Sequence, residues 1–396
     1  METVRLTTAQ AIVRFLIAQR TEIDGREAPL FPGVFAIFGH GNVTSLGEAL
    51  AQAGDELPTW RGQNEQTMAM AAVAYAKAMR RRQIMVATSS IGPGALNMVT
   101  AAGIAHANRL PVLLLSGDTF ATRLPDPVLQ QVEHFDDPST TVNDAFRAVT
   151  RYWDRIIRPE QVLHTLPQAV ATMLDPADCG PAFIGLPQDV QAEAFDYPAV
   201  FLERTVHRIR RPGPDPAEVS AAAEALRSAR RPLLIAGGGV HYSMATDELA
   251  SFAERHAIPV VETVAGKSTL TGEHPNLAGP IGVTGSTSAN ALGADADVVL
   301  AVGTRLQDFT TGSWSVFQEE DLRLVSVNVG RYDAAKHRAV SLVADARRAL
   351  TELSEALGSW RGPDGWLGRA REEYRAWNAY LDQAATPPED GELPSY

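Results

Sequence analysis

Cysteine is nearly absent: Cys179 is the one thiol in 396 residues, so neither an internal disulfide nor a multi-cysteine metal site can form. Long apolar runs are also missing. No stretch approaches the roughly 18 residues that a membrane span requires, and the mean hydropathy is −0.10. Positive charge is short as well, with 35 Lys and Arg against 47 Asp and Glu and a net charge of −12. That balance argues against a phosphate-backbone partner, because nucleic-acid binding rests on clustered cations. The densest basic cluster, Arg80-Arg81-Arg82, falls where a helix should end, and cations suit that end of the dipole. The first twenty residues carry Arg5, Arg14 and Arg20 within an amphipathic pattern, which reads as a folded helix rather than a signal peptide and implies a cytoplasmic protein. Also lacking are H-E-x-x-H, C-x-x-C, G-x-S-x-G and a Walker loop, so the metalloprotease, redox, hydrolase-elbow and P-loop templates fail. There is no solenoid repeat and no extended low-complexity segment.

What is present is an alternation of apolar strands with amphipathic helices over almost the whole length. That pattern builds parallel sheets covered on both faces, so the fold class is α/β with two doubly wound domains. In the first half a helix opens at Thr7 or Thr8, followed by strands at Val34 to Phe38, Ile84 to Thr88 and Val112 to Ser116, with helices at about Glu65 to Arg80 and Ala95 to Asn108. Periodicity lapses between Asp189 and Asp215, where Arg208, Arg210, Arg211, Pro212, Gly213, Pro214 and Pro216 cluster. We therefore expect a first domain over 1–190, a linker over 191–214 and a second domain over 215–358. Asp215, Pro216 and Glu218 should open the second domain as N-cap, first helical residue and capping-box partner. Strands follow at Pro232 to Ala236, Ile258 to Glu262, Asp297 to Ala301 and Leu324 to Asn328. Residues 359–396 read as a helix and then an acidic, proline-bearing linker.

Three segments carry candidate chemistry. Gly237-Gly238-Gly239 follows a strand, and Glu262 ends the next one, as in a dinucleotide fingerprint. Tyr242 stands where the third glycine belongs, however, and a plain glycine-rich turn explains the run equally well. The second segment, from Arg61 through Asn64-Glu65-Gln66 to Ala78, puts one carboxylate at the start of a helix almost solid with Ala and Met. Its bland reading is a glutamate answering the helix dipole. The third, Thr88 to Asn97, is a strand, a Gly92-Pro93-Gly94 turn and a small-residue helix. Of nine histidines, only His40 lies in a strand-end glycine loop, while His106 reads as packing.

The order of these motifs resembles the thiamine-diphosphate enzymes of the acetolactate synthase and pyruvate decarboxylase superfamily. Phe38-Gly39-His40-Gly41-Asn42, Asn64-Glu65-Gln66 and Gly92-Pro93-Gly94 are similar to the pyrimidine-binding domain of that superfamily. Arg231-Pro232, Gly237-Gly238-Gly239 and Gly303-Thr304-Arg305 are similar to its Rossmann-like middle domain. Within it, the trihydroxycyclohexane-1,2-dione hydrolase family of inositol catabolism is the nearest likeness. That likeness rests on Arg5-Leu6-Thr7-Thr8-Ala9-Gln10-Ala11, Pro125-Asp126-Pro127-Val128-Leu129-Gln130-Gln131, Arg151-Tyr152-Trp153-Asp154-Arg155-Ile156 and Ala265-Gly266-Lys267-Ser268-Thr269, and runs to about Asp345. The resemblance implies that Glu65 hydrogen-bonds the cofactor's aminopyrimidine and favours its imino tautomer. It implies that Gly92, Pro93, Gly94 and Asn97 border the pyrimidine, and that His40, Asn42 and Gln131 face the substrate, a cyclic diketone.

One departure is large. The superfamily's third domain announces itself by Gly-Asp-Gly and supplies the magnesium that clamps the diphosphate, and no such motif occurs in these 396 residues. The resemblance therefore implies half of each site, magnesium held by the absent domain, and a whole enzyme working as a homodimer or homotetramer or with a separate chain carrying that domain. Alone, the chain is expected to be inactive. Flavin on the middle domain is compatible with the superfamily, though no residue here demands it. The alternatives are an acetolactate synthase-like carboligase and a non-catalytic binding protein that kept the fold.

Overall fold

The computed structural model describes residues 2–125, 128, 129, 132, 134, 136–388, 391 and 393. They fall into two compact units, Met1–Arg210 and Arg211–Tyr396.

In the first unit, β1 (Thr3–Thr7) leads into α1 (Thr8–Ala18) through a capping box in which Thr7 and Gln10 satisfy each other's backbone N–H. The strands β2 (Gln19–Ile23) and β3 (Arg26–Pro29) form a hairpin whose turn residues, Asp24 and Gly25, both take positive φ. The main sheet starts with β4 (Val34–Ala36), then α2 (Glu48–Ala53), β5 (Thr59–Arg61), α3 (Glu65–Ala78), β6 (Val86–Ser89), α4 (Pro93–Leu96), α5 (Val99–Asn108) and β7 (Leu113–Asp118). It is completed by β8 (Tyr152–Arg155), α6 (Val162–Leu174) and β9 (Ala182–Pro187). The order is β5-β4-β6-β7-β9-β8, and every pair is parallel. Every residue of β6, β7 and β9 is buried, which is why they read as unbroken apolar or small-residue runs.

A short helix, α7 (Gln188–Ala192), follows β9 directly. The stretch expected as a linker over 191–214 then folds in large part onto this unit: β10 (Ala194–Pro198) pairs antiparallel with β1, and β11 (Thr205–His207) pairs parallel with β2. The linker expectation is corrected accordingly to the few residues after His207. β11 escaped the sequence reading because it is short, solvated and flanked by Arg20, Glu22, Glu27 and Arg204, whereas β10 carries a brief alternation, with Tyr197 buried and Phe195 half-buried, that the reading passed over.

The second unit opens at α8 (Pro216–Arg227), where Asp215 accepts from Ala217 N at 2.7 Å. Glu218 does not close the expected capping box; its carboxylate accepts from Val343 N at 2.8 Å and ties the helix to the last strand of the sheet. The sheet comprises β12 (Pro232–Ala236), β13 (Val260–Glu262), β14 (Leu277–Pro280), β15 (Val298–Val302), β16 (Arg323–Asn328) and β17 (Val340–Val343). Its order is β14-β13-β12-β15-β16-β17, all parallel, the doubly wound arrangement in which ligands meet the carboxyl ends of the strands. The helices between are α9 (Gly238–Tyr242), α10 (Thr246–His256), α11 (Thr287–Asp295), α12 (Asp308–Thr311), α13 (Arg331–Ala335) and α14 (Ala346–Leu357), and separate apolar cores fill the two faces. The tail forms α15 (Asp364–Ala385), held to the sheet by buried Trp366, whose indole N–H donates to Pro232 O at 2.9 Å. No helix among the described residues is long and apolar enough to cross a membrane.

Candidate active site in the first unit

The carboxyl ends of β4, β6, β7 and β9 come together, and three chain segments are shaped there. After β4 the chain turns through Gly39 to Asn42. Asn42 Oδ1 accepts from Gly39 N at 3.0 Å, and Val43 N donates to Gly39 O at 3.0 Å, closing a tight loop. Gly41 is obligatory by close approach: a Cβ would lie 2.9 Å from Ile91 N. Its carbonyl accepts from Gln191 Nε2 at 2.7 Å, and the same amide reaches Leu186 O at 2.9 Å. Asp189, two residues before Gln191 on α7, accepts from Ala121 N and Thr122 N at 2.9 and 3.1 Å and so holds the start of the segment after β7.

The second segment is the start of α3. Asn64 caps it by accepting from Thr67 N at 3.0 Å, which leaves Glu65 as first helical residue, half-buried at the helix entrance. The third is the turn after β6. Gly92 has φ +64° and ψ −120°, a conformation open to glycine, and Pro93 at the first helical position starts α4. Asn97, at the end of α4, donates from Nδ2 to Glu65 Oε2 at 2.8 Å. A Cβ on Gly94 would stand 3.4 Å from Glu65 Oε1, so the missing side chain keeps open a hollow beside that oxygen. The hollow measures about 770 Å³ and is lined by Phe38, Glu65, Ser90, Pro93, Gly94 and Asn97, among others.

Of the residues singled out from the sequence, the structure thus brings Glu65, Pro93, Gly94 and Asn97 to one hollow, and Gly92 makes the turn that starts α4 beside it. His40 sits in the adjoining glycine loop, and its Nε2 is shielded from solvent with no hydrogen-bond partner among the described residues. Asn42 is a correction. It is 2% exposed and spends its side chain on Gly39, Ile37 and Thr88, so it builds the loop rather than facing a substrate. Gln131 lies outside the described residues. Gln191, Asp189 and Ser90 were missed, and the first two are too distant in sequence for any local signal to connect them with these loops.

At the ends of β7 and β8 lies an ion-pair network. Arg155 donates to Asp118 Oδ2, Asp144 Oδ2 and Thr141 Oγ1, each at 2.7 Å. Burial works against the Arg155 charge, but the neighbouring Asp118 and Asp144 carboxylates outweigh it and raise the guanidinium above its usual range.

In the second unit the equivalent strand ends are closed. A Cβ on Gly237 would fall 2.5 Å from Gly303 O, and one on Gly239 would fall 2.6 Å from Gly303 Cα, so these glycines let two strand-end loops press together. Glu262 is 7% exposed; its oxygens accept from Ser268 N (3.1 Å), Thr269 Oγ1 (2.8 Å) and Leu270 N (3.0 Å). Of the two readings of this turn, the close-packed one matches the geometry, since the groups a dinucleotide would need are already used.

A carboxylate entering a helix opposite a glycine cradle belongs to a family with known members. Residues 32–138 match the thiamine pyrophosphate enzyme N-terminal TPP binding domain, and residues 219–353 match the thiamine pyrophosphate enzyme central domain. The chain belongs to the thiamine pyrophosphate enzymes. More narrowly, it is 50% identical over 383 residues to the 3D-(3,5/4)-trihydroxycyclohexane-1,2-dione hydrolase of Geobacillus thermodenitrificans, covering 97% of this chain and 59% of that protein. The hydrolase of the same name from Bacillus anthracis is also 50% identical, over 97% of this chain and 60% of its own length. The Bacillus thuringiensis protein is 47% identical over the same shares. The chain therefore spans about three fifths of the length of these relatives.

Proposed function

We propose that this chain supplies the aminopyrimidine side of the active site of a thiamine-diphosphate-dependent hydrolase. That enzyme breaks a C–C bond and opens a trihydroxycyclohexane-1,2-dione to a 5-deoxyglucuronate-type acid in the cytoplasmic breakdown of inositol. The observation that supports this most directly is the Glu65, Asn97 and Gly94 arrangement. Asn97 holds one carboxylate oxygen, and the other has no protein partner among the described residues and stands beside the space that Gly94 leaves open. A flat heterocycle with a ring nitrogen to share a proton suits that space. Glu65 would hold the proton at that nitrogen, Gly92, Pro93 and Gly94 would border the ring, and His40 would face the substrate side from the adjoining loop. When bound, thiamine diphosphate supplies the carbon nucleophile and the electron sink that C–C cleavage next to a carbonyl requires.

The diphosphate and its magnesium would be held by a domain bearing Gly-Asp-Gly, contributed by a neighbouring subunit of a homodimer or homotetramer, or by a separate chain. Without that domain the 396 residues should not turn over. The test is calorimetric titration of the chain with thiamine diphosphate, paired with an assay on the cyclic dione. Weak binding that magnesium barely strengthens is expected, falling about tenfold in Glu65→Gln as a charge-assisted contact is lost. Ring opening is expected only when a diphosphate-binding domain is added. Dione hydrolysis by the chain alone would overturn the half-site reading, and consumption of pyruvate instead of the dione by the completed protein would replace the hydrolase with a carboligase.

A further inference from the structure

A second hollow, of about 680 Å³, adjoins the first and shares Ile37 and Phe38 with it. Arg61, Gly62 and Gln63 complete its lining. Arg61 ends β5, the outermost strand on this side of the sheet, opposite Ala36 of β4, and Gly62 N donates to Ala36 O at 3.0 Å. The strand is well anchored on its other face. The Trp60 ring lies 5.8 Å from that of Phe35 and covers Gly33, where a Cβ would collide with the indole. Met68 packs closely on Gly62, where a Cβ would lie 3.0 Å from its Sδ, between the strand end and α3.

What sets Arg61 apart is its place, since Arg14 and Arg26 of this unit also have no ion pair among the described residues. Arg20, Arg82, Arg147, Arg155, Arg158 and Arg204 of this unit each have a carboxylate partner. Arg61 has no ion pair or hydrogen bond among the described residues, yet it lines a hollow at the carboxyl edge of a parallel sheet. The joined trough therefore has an anion, Glu65, at one end, a cation, Arg61, at the other, and Ile37 and Phe38 between them.

We propose that Arg61 is the subsite for the carboxylate of a polyhydroxy acid, the product of the reaction assigned above; the inference rests on that assignment. Hydrolysis between two adjacent carbonyl carbons needs only water. The C–C bond breaks, one carbon gains the hydroxyl and becomes a carboxylic acid, and the other gains the hydrogen and becomes an aldehyde. A neutral ring thus enters and an open-chain anion leaves; its carboxylate forms at the reacting carbon, and a cation along the same trough can take it once the opened chain swings away. Gln63, a neutral donor and acceptor on the same lining, suits the hydroxyls of either species. Arg offers the two parallel N–H groups that a carboxylate matches.

The experiment uses the isotopically labelled 396-residue chain with D-glucuronate as probe and D-glucose, which has a hydroxymethyl group in place of the carboxylate, as control. Glucuronate should shift the Arg61 Nε–H and Trp60 indole resonances with a millimolar dissociation constant, on the order of 1–10 mM. Arg61→Gln should weaken it at least about tenfold, and Arg61→Lys should restore part of the loss. Arg61 is exposed, so both variants should keep the wild-type melting temperature. Equal shifts with glucose, unchanged glucuronate affinity in Arg61→Gln, or no saturation below about 50 mM would overturn the proposal. The completed enzyme separates the two assignments. Dione opening whose product inhibition ignores Arg61→Gln would sink the subsite alone, whereas absence of dione opening would sink the hydrolase reading.

Discussion

The two sheets present the same kind of edge to opposite effect. Each is a six-stranded parallel sheet with a glycine-rich loop leaving one of its strands and an acidic residue near the next. In the second unit the glycines are used up against Gly303 and the acid, Glu262, is satisfied by three donors from its own following loop. In the first unit the loop is tied down from behind by Gln191, while Glu65 keeps one oxygen, His40 one nitrogen and Arg61 its whole guanidinium without a protein partner among the described residues. Strand topology places a site, but what the loops leave unsatisfied decides whether there is one.

The sharpest way to break this contrast is to disturb the closed edge. Gly239→Ala puts a methyl group against Gly303 backbone atoms and should cost the second unit about 3 kcal/mol, read as an earlier urea midpoint. Thiamine diphosphate binding by the first unit should be unaffected. An unchanged midpoint would mean the turn has slack that a ligand could use. Next in size, Gln191→Leu removes two buried hydrogen bonds from the loop bearing His40 and should destabilise the first unit by about 2 kcal/mol. It should also move the His40 imidazole resonances, which a purely structural loss elsewhere would leave in place.

The smallest effect concerns acid. His256, buried between α10 and α14 with Nδ1 on Trp360 O at 2.7 Å and Nε2 on Ser354 Oγ at 2.9 Å, is held below the ordinary histidine range by burial and by Arg255 and Arg361. Its neutral form is favoured in the folded state, so its contribution is complete above the unfolded value of about 6.5 and is lost as pH falls through the lower folded value. Urea unfolding at neutral and mildly acidic pH should therefore show a larger acid-induced loss for the wild type than for His256→Gln. Equal losses would remove His256 from the account.

Much of the fold was legible because the central strands are buried on both faces and leave uninterrupted apolar runs, as in Leu233–Ile235 and Val298–Val302. Glu65 and the Gly92-Pro93-Gly94 turn were legible because a helix start and a left-handed turn are local chemistry. Asn42 was misread because an asparagine that closes its own loop and one that meets a ligand have the same letter; the burial that separates them is a property of the packed sheet. Glu218 illustrates the same limit, since a correctly spaced acid found a better donor on β17. Gln191 was invisible because its partner, Gly41, lies 150 residues away.

That separation also sets a timetable. The loop carrying His40 is synthesised early, but the amide that holds it emerges 150 residues later, about 10–30 s at ordinary rates of translation. Until then the glycine loop has only its local hydrogen bonds, so the candidate site takes its final form only after β9 and α7 have left the ribosome. A pause or break in synthesis before Gln191 would release a chain with Glu65 in place on its helix and nothing holding His40 beside it.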